Sequence, residues 1–366
     1  EMSASLVGSE MCIRDRCNTS RTVLMLRRHI GNYNFVGDAK TGITLRWGKT
    51  INDNPVFAPV PELADISISN HCTKGCSFCY KNSKPNQEFM SIEDYCYILD
   101  SMNHHKYGNV FQVAIGGGEP LEHPDFLSII DKTLEHGIVP NFTTNGLNLT
   151  SELCKELKNK IGAVALSITS IDDIFFDKVS LLIKENIRVN IHYVLSSQNI
   201  KEAISIVSGE KNKYFKGINA IIFLTYKPAG RANIDNILKD DYNLNVFLNK
   251  IGQKNIIRPK IGFDACFVPM LLYHTDISPD LIDTCEGGFF SVYIDHNLNV
   301  SPCSFSNNSH DLFNLREYDF YDIWLDKLKV YRIKNKNKCK RADCPSHKQC
   351  RGCCSYYPEI TTCYVG

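Results

Sequence analysis

Short strand-like segments alternate with helical patterns through the middle of the chain, and this alternation restricts the possible folds more than any other feature. Six such segments lie at residues 65–69, 110–115, 139–143, 163–168, 189–195 and 220–225. Helical patterns separate them, for example over residues 91–102, 124–134 and 172–184. Strands that alternate with helices pair in parallel, so the sequence predicts an α/β fold built on a parallel sheet. The spacing is compatible both with an open barrel and with a doubly wound sheet.

The segments on either side of this alternation predict the domain organisation. Residues 3–16 show no periodicity and resemble translated sequencing-adapter read-through, so we exclude them and discount Cys12 and Cys17. Residues beyond 261 contain short strand-like runs, turns and cysteines, and we expect no barrel strand among them. The predicted divisions are a non-native or disordered tail at 1–20, a β-hairpin segment at 21–60, a core domain at 61–235, a bridging helix at 236–260 and a small cysteine-rich domain at 261–366.

The charge and hydropathy of the chain argue against two large classes of function. Of the 366 residues, 41 are Lys or Arg and 40 are Asp or Glu, which leaves a net charge of +1. Such a balance provides no positive field to attract nucleic acid or anionic lipid. The longest apolar runs, such as residues 220–224, are far shorter than the roughly 20 residues that span a bilayer. We therefore expect a cytoplasmic protein with neither a nucleic-acid nor a membrane partner.

The sixteen cysteines are the most unusual feature of the composition. Disulfides seldom persist in the cytosol, so metal or cluster binding becomes the leading explanation for so many thiols. The cysteines also cluster, because three lie between residues 72 and 79 and nine lie between residues 266 and 363. Thiols buried in a core would instead follow the apolar periodicity. The two clustered groups therefore predict metal centres.

The first group places Cys72, Cys76 and Cys79 in a CxxxCxxC spacing directly after the first predicted strand. Thiolates bind iron–sulfur clusters, and four is the usual number of ligands. Three ligands in one loop would leave one iron open to bind a small molecule. A zinc site is the alternative, and it would need a fourth ligand, for which His71 is the candidate.

These residues resemble the signature of the radical S-adenosylmethionine (radical SAM) superfamily. In that family's CxxxCxΦC motif, Phe78 stands at the aromatic position before the third cysteine. Further matching positions follow strand ends in order along the chain: Gly116-Gly117-Gly118-Glu119-Pro120, Thr144-Asn145-Gly146, Ser167 and Pro228-Ala229-Gly230-Arg231. The resemblance implies a partial (β/α)6 TIM-like barrel, whose sites lie at the carboxyl ends of the strands. It also implies a SAM-binding [4Fe-4S] cluster held by Cys72, Cys76 and Cys79.

The resemblance further implies roles for the glycine-rich segment that follows the second strand. Gly116, Gly117 and Gly118 would let the backbone approach the methionine end of SAM, because a Cβ would intrude there. Glu119 would accept a hydrogen bond from the SAM ammonium or hold this loop in place.

Other residues that match the radical SAM pattern would surround the rest of SAM. Phe78 or Tyr80 would lie against the adenine, and Asn145 and Ser167 would lie near the ribose and the carboxylate. His192 has two interpretations, which are a contact to the SAM carboxylate and an ordinary barrel histidine.

The second group of cysteines lies in the C-terminal part of the chain. Its members are Cys266, Cys285, Cys303, Cys339, Cys344, Cys350, Cys353, Cys354 and Cys363. A structural zinc ribbon would need only four ligands, whereas two four-cysteine clusters would use eight. One cluster with spare thiols is a further alternative.

This group resembles the SPASM extension of radical SAM maturases that act on peptides and proteins. By position, the resemblance assigns a first auxiliary [4Fe-4S] cluster to Cys266, Cys285, Cys303 and Cys354. It assigns a second to Cys339, Cys344, Cys350 and Cys363. The gap between Cys339 and Cys344 is longer than usual in this pattern, and Cys353 is an alternative to Cys354 as the crossover ligand.

Together the two resemblances imply an enzyme that reductively cleaves SAM to a 5′-deoxyadenosyl radical and modifies a peptide or protein. Its partners would be that substrate and an electron donor such as flavodoxin or ferredoxin. Asp264 is a candidate proton acceptor near the substrate, although such a residue more often caps a turn. No winged-helix leader-binding module is evident before residue 60, so a precursor peptide would bind at the barrel mouth, the C-terminal domain or a separate partner. The alternatives are a radical SAM enzyme acting on a small molecule and a non-catalytic iron–sulfur electron carrier.

Overall fold

The computed structural model describes residues 25–171, 173–253, 256–257, 259–278, 282–336, 339, 344 and 350–363. The predicted tail at residues 1–20, with Cys12 and Cys17, lies outside this part of the chain. The first described element is a small antiparallel sheet, whose strands are β1 (Met25–Ile30), β2 (Tyr33–Asp38) and β3 (Thr44–Trp47). Strands β2 and β3 pair as a hairpin, and β1 adds a third strand on the other side of β2.

The centre of the molecule is a run of parallel strands separated by helices. The strands are β4 (Leu63–Ser67), β5 (Gln112–Gly116), β6 (Val139–Thr144), β7 (Val164–Ile168), β8 (Val189–Leu195), β9 (Ala220–Thr225) and β10 (Ile261–Phe263). Each strand pairs in parallel with the next one along the chain. The six units from β4 to β9 confirm the predicted α/β fold of a partial barrel.

Helices cover the outer face of this sheet. They are α1 (Ile92–Ser101), α2 (Phe126–Glu135), α3 (Ser151–Leu157), α4 (Asp173–Lys184), α5 (Ile200–Val207) and α6 (Tyr242–Gly252). Ser91 is the N-cap of α1 as predicted, and its side chain accepts a hydrogen bond from the backbone N–H of Asp94 at 3.0 Å. The thiol of Cys154 is fully buried in α3, as expected of a core cysteine outside the clustered groups.

The C-terminal part of the chain adds three strands to the same sheet, so the expectation of no barrel strand beyond residue 261 is wrong. These strands are β11 (Ser291–Ile294), β12 (Asn299–Ser301) and β13 (Phe313–Asn314), which follow the short strand β10. Strand β11 pairs in parallel with β4, and the sheet order is β10-β9-β8-β7-β6-β5-β4-β11-β12-β13. The unpaired edge of β4 would expose backbone groups beside a fully buried core, and β11 satisfies them.

Apart from short 3₁₀ turns, the remaining described helical segments lie in the C-terminal part of the chain. They are α7 (Val268–His274), a π-helical segment (Asp322–Lys327) and α8 (Leu328–Asn335). The indole of Trp324 is fully buried, and its Nε1–H donates to the carbonyl of Ala58 at 2.8 Å. None of the helices in the described ranges combines the length and apolar character needed to cross a bilayer.

Candidate active site

The first cysteine loop leaves the carboxyl end of β4 and carries Cys72, Cys76 and Cys79, all of them half-buried. Backbone hydrogen bonds shape this loop, since the N–H of Cys79 donates to the carbonyl of Cys76 at 3.3 Å and that of Cys72 donates to Lys84 at 3.2 Å. Partial burial raises the pKa of the Cys72 and Cys76 thiols. Cluster binding would therefore release protons from these thiols, because thiolates are the ligands.

His71 is the zinc ligand of the alternative interpretation, and both of its ring nitrogens have protein partners. Its Nδ1 accepts the backbone N–H of Asn86 at 3.1 Å, and its Nε2 lies 3.1 Å from a carboxylate oxygen of Glu122. A neutral imidazole with one acceptor and one donor nitrogen satisfies both contacts. His71 thus orients the loop, and this arrangement does not favour it as a fourth metal ligand.

The glycine-rich segment after β5 lies directly against the cysteine loop. The N–H of Gly118 donates to the carbonyl of Ser69, and that of Glu119 donates to the carbonyl of His71, both at 2.8 Å. A Cβ at Gly118 would lie 1.9 Å from the carbonyl oxygen of His71, and one at Gly117 would lie 2.3 Å from that of Ser69. A Cβ at Gly116 would meet nothing within 4 Å. Gly117 and Gly118 are therefore needed for contacts within the chain, and only Gly116 leaves open space for a ligand.

Glu119 joins this segment to the loop after β6. Its buried carboxylate accepts hydrogen bonds from the Thr144 hydroxyl at 2.6 Å and from the backbone N–H groups of Asn145 at 2.7 Å and Leu121 at 3.1 Å. Burial raises the pKa of Glu119, while these three donors oppose the shift. Of the two predicted roles of Glu119, these contacts match the one that holds the loop in place.

Asn145 carries the clearest sign of a missing polar ligand. Its Oδ1 accepts the backbone N–H of Leu147 at 2.8 Å, but its buried Nδ2 has no hydrogen-bond partner in the described part of the chain. Buried amide donors are nearly always paired in native proteins. A polar group of a bound cofactor at this edge of the sheet would supply the missing acceptor, so the residues present fit SAM.

The other predicted cofactor residues have more varied surroundings. Phe78 is half-buried in the cysteine loop, and Ser167 is the penultimate residue of β7, in register with His192 of β8. Burial lowers the pKa of His192 to about 4, so its imidazole is neutral at pH 7. The ring of Tyr80 packs on Phe305 from the C-terminal part, with 4.4 Å between ring centroids. This contact directs Tyr80 toward the second group of cysteines.

A cavity of about 350 Å³ brings together four cysteines that are far apart in the sequence. Its walls include the predicted first auxiliary set, Cys266, Cys285, Cys303 and Cys354, together with Cys353. The thiol of Cys266 is hydrogen-bonded to Cys354, which raises the pKa of Cys266 and lowers that of Cys354. Burial raises the pKa of Cys303 to about 12, and the nearby Cys285 contributes to this shift. The space of this cavity and the four thiols in its wall are compatible with an iron–sulfur cluster.

A second set of thiols lies beside this cavity. Cys350 interacts electrostatically with Cys339, Cys344 and Cys353, and Cys363 interacts with Cys350, Cys339 and Cys353. Cys354 is hydrogen-bonded to Cys266, whereas Cys353 interacts with Cys350 and Cys363, so these contacts favour Cys354 over Cys353 as the crossover ligand of the first set. Among the described residues, no three His, Cys, Asp or Glu side chains lie close enough to hold a single metal ion. A four-iron cluster does not require such convergence, because each thiolate binds a different iron.

Comparison with known protein families places the first cysteine loop and most of the C-terminal cysteines in two different domains. Residues 66–225 match the model of the radical SAM superfamily, and residues 285–354 match SPASM, an iron–sulfur cluster-binding domain. The chain belongs to the radical SAM superfamily and carries a SPASM domain. Both domains imply iron–sulfur clusters, and the radical SAM domain also implies SAM as a cofactor.

Individual relatives of this radical SAM protein are distant. The S-adenosylmethionine-dependent nucleotide dehydratase of Selenomonas ruminantium is 24% identical over 169 residues, which are 40% of this chain and 61% of that protein. The sporulation killing factor maturation protein SkfB of Bacillus subtilis is 22% identical over 291 residues, which are 71% of this chain and 66% of that protein. The chain thus spans less than two thirds of the length of each of these two relatives.

Solved structures share the fold of this radical SAM protein over most of its length. SuiB of Streptococcus suis bound to S-adenosylmethionine superimposes with a TM-score of 0.69 at 16% identity, covering 92% of this chain and 95% of SuiB. SuiB bound to its precursor peptide SuiA gives a TM-score of 0.64 at 18% identity, covering 81% of this chain and 72% of that one.

The sequence pattern did not predict a role for the side chains of two residues at the site of this radical SAM protein. Lys227 lines the cysteine cavity, and the guanidinium Nε of Arg231 donates to the carbonyl of Cys76 at 2.9 Å. Both follow β9, at the sheet edge where the other site residues collect. The signal that could have identified Lys227 was its position two residues beyond the last predicted strand. That position places it at the carboxyl edge of the sheet, where barrel sites lie.

Proposed function

We propose that this chain is a radical SAM enzyme that holds its first cluster with Cys72, Cys76 and Cys79 and modifies a peptide or protein. The unpaired, buried Nδ2 of Asn145 carries the cofactor assignment, because the backbone of Asn145 is bonded to Glu119 of the glycine-rich segment. When bound together, the cluster and SAM would supply a 5′-deoxyadenosyl radical that abstracts a hydrogen atom from the substrate. A non-catalytic electron carrier would need neither the glycine-rich segment nor this donor.

The chain's own residues would bind and orient the cofactor. Gly116 leaves space for the methionine end, while Glu119 holds the two flanking loops at a fixed separation. Asn145 and Ser167 would donate to the ribose or the carboxylate. Phe78 is a better candidate for the adenine contact than Tyr80, since the Tyr80 ring packs on Phe305.

The peptide or protein class of substrate is supported by two of the similar proteins. SuiB has been crystallised with a precursor peptide, and SkfB is a maturation protein. A small-molecule substrate is the second candidate, and the nucleotide dehydratase favours it. The two candidates share the radical chemistry and differ only in what the substrate presents for hydrogen abstraction.

The substrate class can be tested with a short peptide encoded next to the gene. We expect the anaerobic enzyme, supplied with SAM and dithionite, to remove hydrogen from this peptide while forming 5′-deoxyadenosine, as read by mass spectrometry. Nucleoside triphosphates serve as the parallel substrate. An unmodified peptide together with a converted nucleotide would favour the small-molecule candidate.

We also propose two auxiliary [4Fe-4S] clusters, one on Cys266, Cys285, Cys303 and Cys354 and one on Cys339, Cys344, Cys350 and Cys363. We expect reconstituted protein to hold about twelve irons per chain, four for each of three clusters. Cys285→Ala and Cys350→Ala should each lose about four irons, because each removes a ligand of a different set. Iron and zinc analysis of the purified variants measures this. Zinc in the preparation with saturation at about four irons would contradict the proposal of two auxiliary clusters.

The electron for SAM cleavage would come from a small redox protein of the flavodoxin or ferredoxin class. A cytoplasmic location is part of the same proposal, because a reducing compartment keeps the sixteen cysteines available as ligands.

A further inference from the structure

The side chain of Lys227 is a buried cation in the wall of the cavity that collects the first auxiliary set of cysteines. Its side chain is only 4% exposed, and it lies two residues beyond the end of β9. The same cavity is lined by Cys266, Cys285, Cys303 and Cys354. A buried charge needs compensation, so its partners indicate what it does there.

Lys227 is held in place by three contacts. Its ammonium lies 2.8 Å from a carboxylate oxygen of Asp264, donates to the carbonyl of Thr225 at 3.1 Å, and lies 4.4 Å from the centre of the Phe305 ring. The other carboxylate oxygen of Asp264 accepts the Thr225 hydroxyl at 2.7 Å and the backbone N–H of Phe267 at 3.1 Å. Asp264 is therefore fully engaged in positioning the lysine, which makes a role as free proton acceptor less suited to it.

Lys227 keeps its positive charge at neutral pH. Burial disfavours the charged form, but the ion pair with Asp264 at 2.8 Å outweighs this effect and raises the pKa of Lys227. Lys227 and its partner Asp264 both line the cavity that holds the four thiols. Removal of the ammonium alone would leave the Asp264 carboxylate there as an uncompensated negative charge.

The segment that carries Lys227 also contacts the first cysteine loop. Three residues later, a Cβ at Gly230 would lie 2.4 Å from the carbonyl oxygen of Cys79, so this contact requires glycine. The backbone N–H of Arg231 donates to the same carbonyl at 3.0 Å. Residues 227–231 thus contact the first cysteine loop through Gly230 and Arg231 and line the cysteine cavity through Lys227.

We propose that Lys227 raises the reduction potential of the auxiliary cluster held by Cys266, Cys285, Cys303 and Cys354. The inference rests on the proposed ligand set. One added electron makes a thiolate-bound cluster more negative, and a fixed cation in a buried site stabilises that state. No bond forms, and Lys227 keeps its proton. The higher reduction potential would make this cluster a better acceptor of an electron from the substrate.

The test is a dithionite titration monitored by electron paramagnetic resonance on the full chain carrying Cys72→Ala, Cys76→Ala and Cys79→Ala. This background leaves only the auxiliary clusters, and the signal of interest is the one that disappears when Cys285→Ala is added. We expect Lys227→Met to shift its reduction equilibrium at least tenfold toward the oxidised form, which is about 59 mV for one electron. Lys227→Arg should restore the native value, because it keeps the charge.

Two further variants keep the test decisive. Lys81→Met is the matched control, since Lys81 is a half-buried lysine that contacts Tyr293 and is not part of the cavity wall. The signal should be unchanged. Asp264→Asn keeps the cation and removes its counter-charge, so it should shift the equilibrium toward the reduced form. An unchanged reduction potential in Lys227→Met overturns the inference. If Lys227→Met loses its iron, an unchanged reduction potential in Asp264→Asn overturns it instead. Absence of the signal and of its iron in the parent chain would instead overturn the ligand set, and this inference with it.

Discussion

Simultaneous replacement of Cys72, Cys76 and Cys79 with Ala should abolish reductive cleavage of SAM. Changes that only affect partners of metal ligands cost about 10- to 100-fold, so removal of all three proposed ligands should cost more than about 100-fold. Formation of 5′-deoxyadenosine after anaerobic reduction with dithionite measures the effect. Cys96→Ala is the matched control, because Cys96 is a half-buried thiol on α1 outside both cysteine groups.

The same triple variant should keep the iron of its C-terminal part. The cavity thiols lie between residues 266 and 354, and their contacts are with one another, with Lys227 and with Asp264. None of the three replaced side chains lines that cavity. We expect about eight of about twelve irons to remain. Continued formation of 5′-deoxyadenosine by the triple variant would show that the first cluster is held elsewhere.

Gly118→Ala should be the most damaging single substitution in the glycine-rich segment. The new Cβ would lie 1.9 Å from the carbonyl oxygen of His71, so the backbone of the cysteine loop must move. Overpacking of this kind costs about 3 kcal/mol or more at its upper end. We expect the unfolding temperature to fall by roughly 5 °C or more, together with loss of the iron bound by the first cysteine loop.

Gly116→Ala is the matched control for this prediction, because a Cβ there meets nothing within 4 Å. Its unfolding temperature and iron content should stay at the native values. If Gly116 leaves room for the methionine end of SAM, this variant should bind SAM more weakly, which equilibrium dialysis of the anaerobic protein measures. Equal stability and iron content in Gly118→Ala and Gly116→Ala would contradict the proposed contact between the two loops.

Most of the barrel could be predicted because its signals are local. The strands from β4 to β9 are five to seven residues long, which is long enough for their pattern to be recognised between helical patterns. Strands β10 to β13 contain only two to four residues, so no periodicity develops in them. The place of β11 to β13 in the barrel sheet depends on the exposed edge of β4, and that of β10 depends on the edge of β9. Neither edge exists until the sheet forms.

The features of the site also divide into those that the sequence predicts and those that only the folded chain brings together. The sequence by itself determined the two groups of cysteines, the glycine-rich segment and their order along strand ends, because residue type and spacing carry that information. Only the tertiary structure decided that Gly117 and Gly118 make room for the cysteine loop, that Cys354 lies with Cys266, and that Lys227 faces the same cavity. Lys227 and Asp264 are 37 residues apart, and their pairing depends on two chain segments meeting at one sheet edge. Spacing along the chain does not encode such contacts, since their distances depend on how the whole sheet twists and packs.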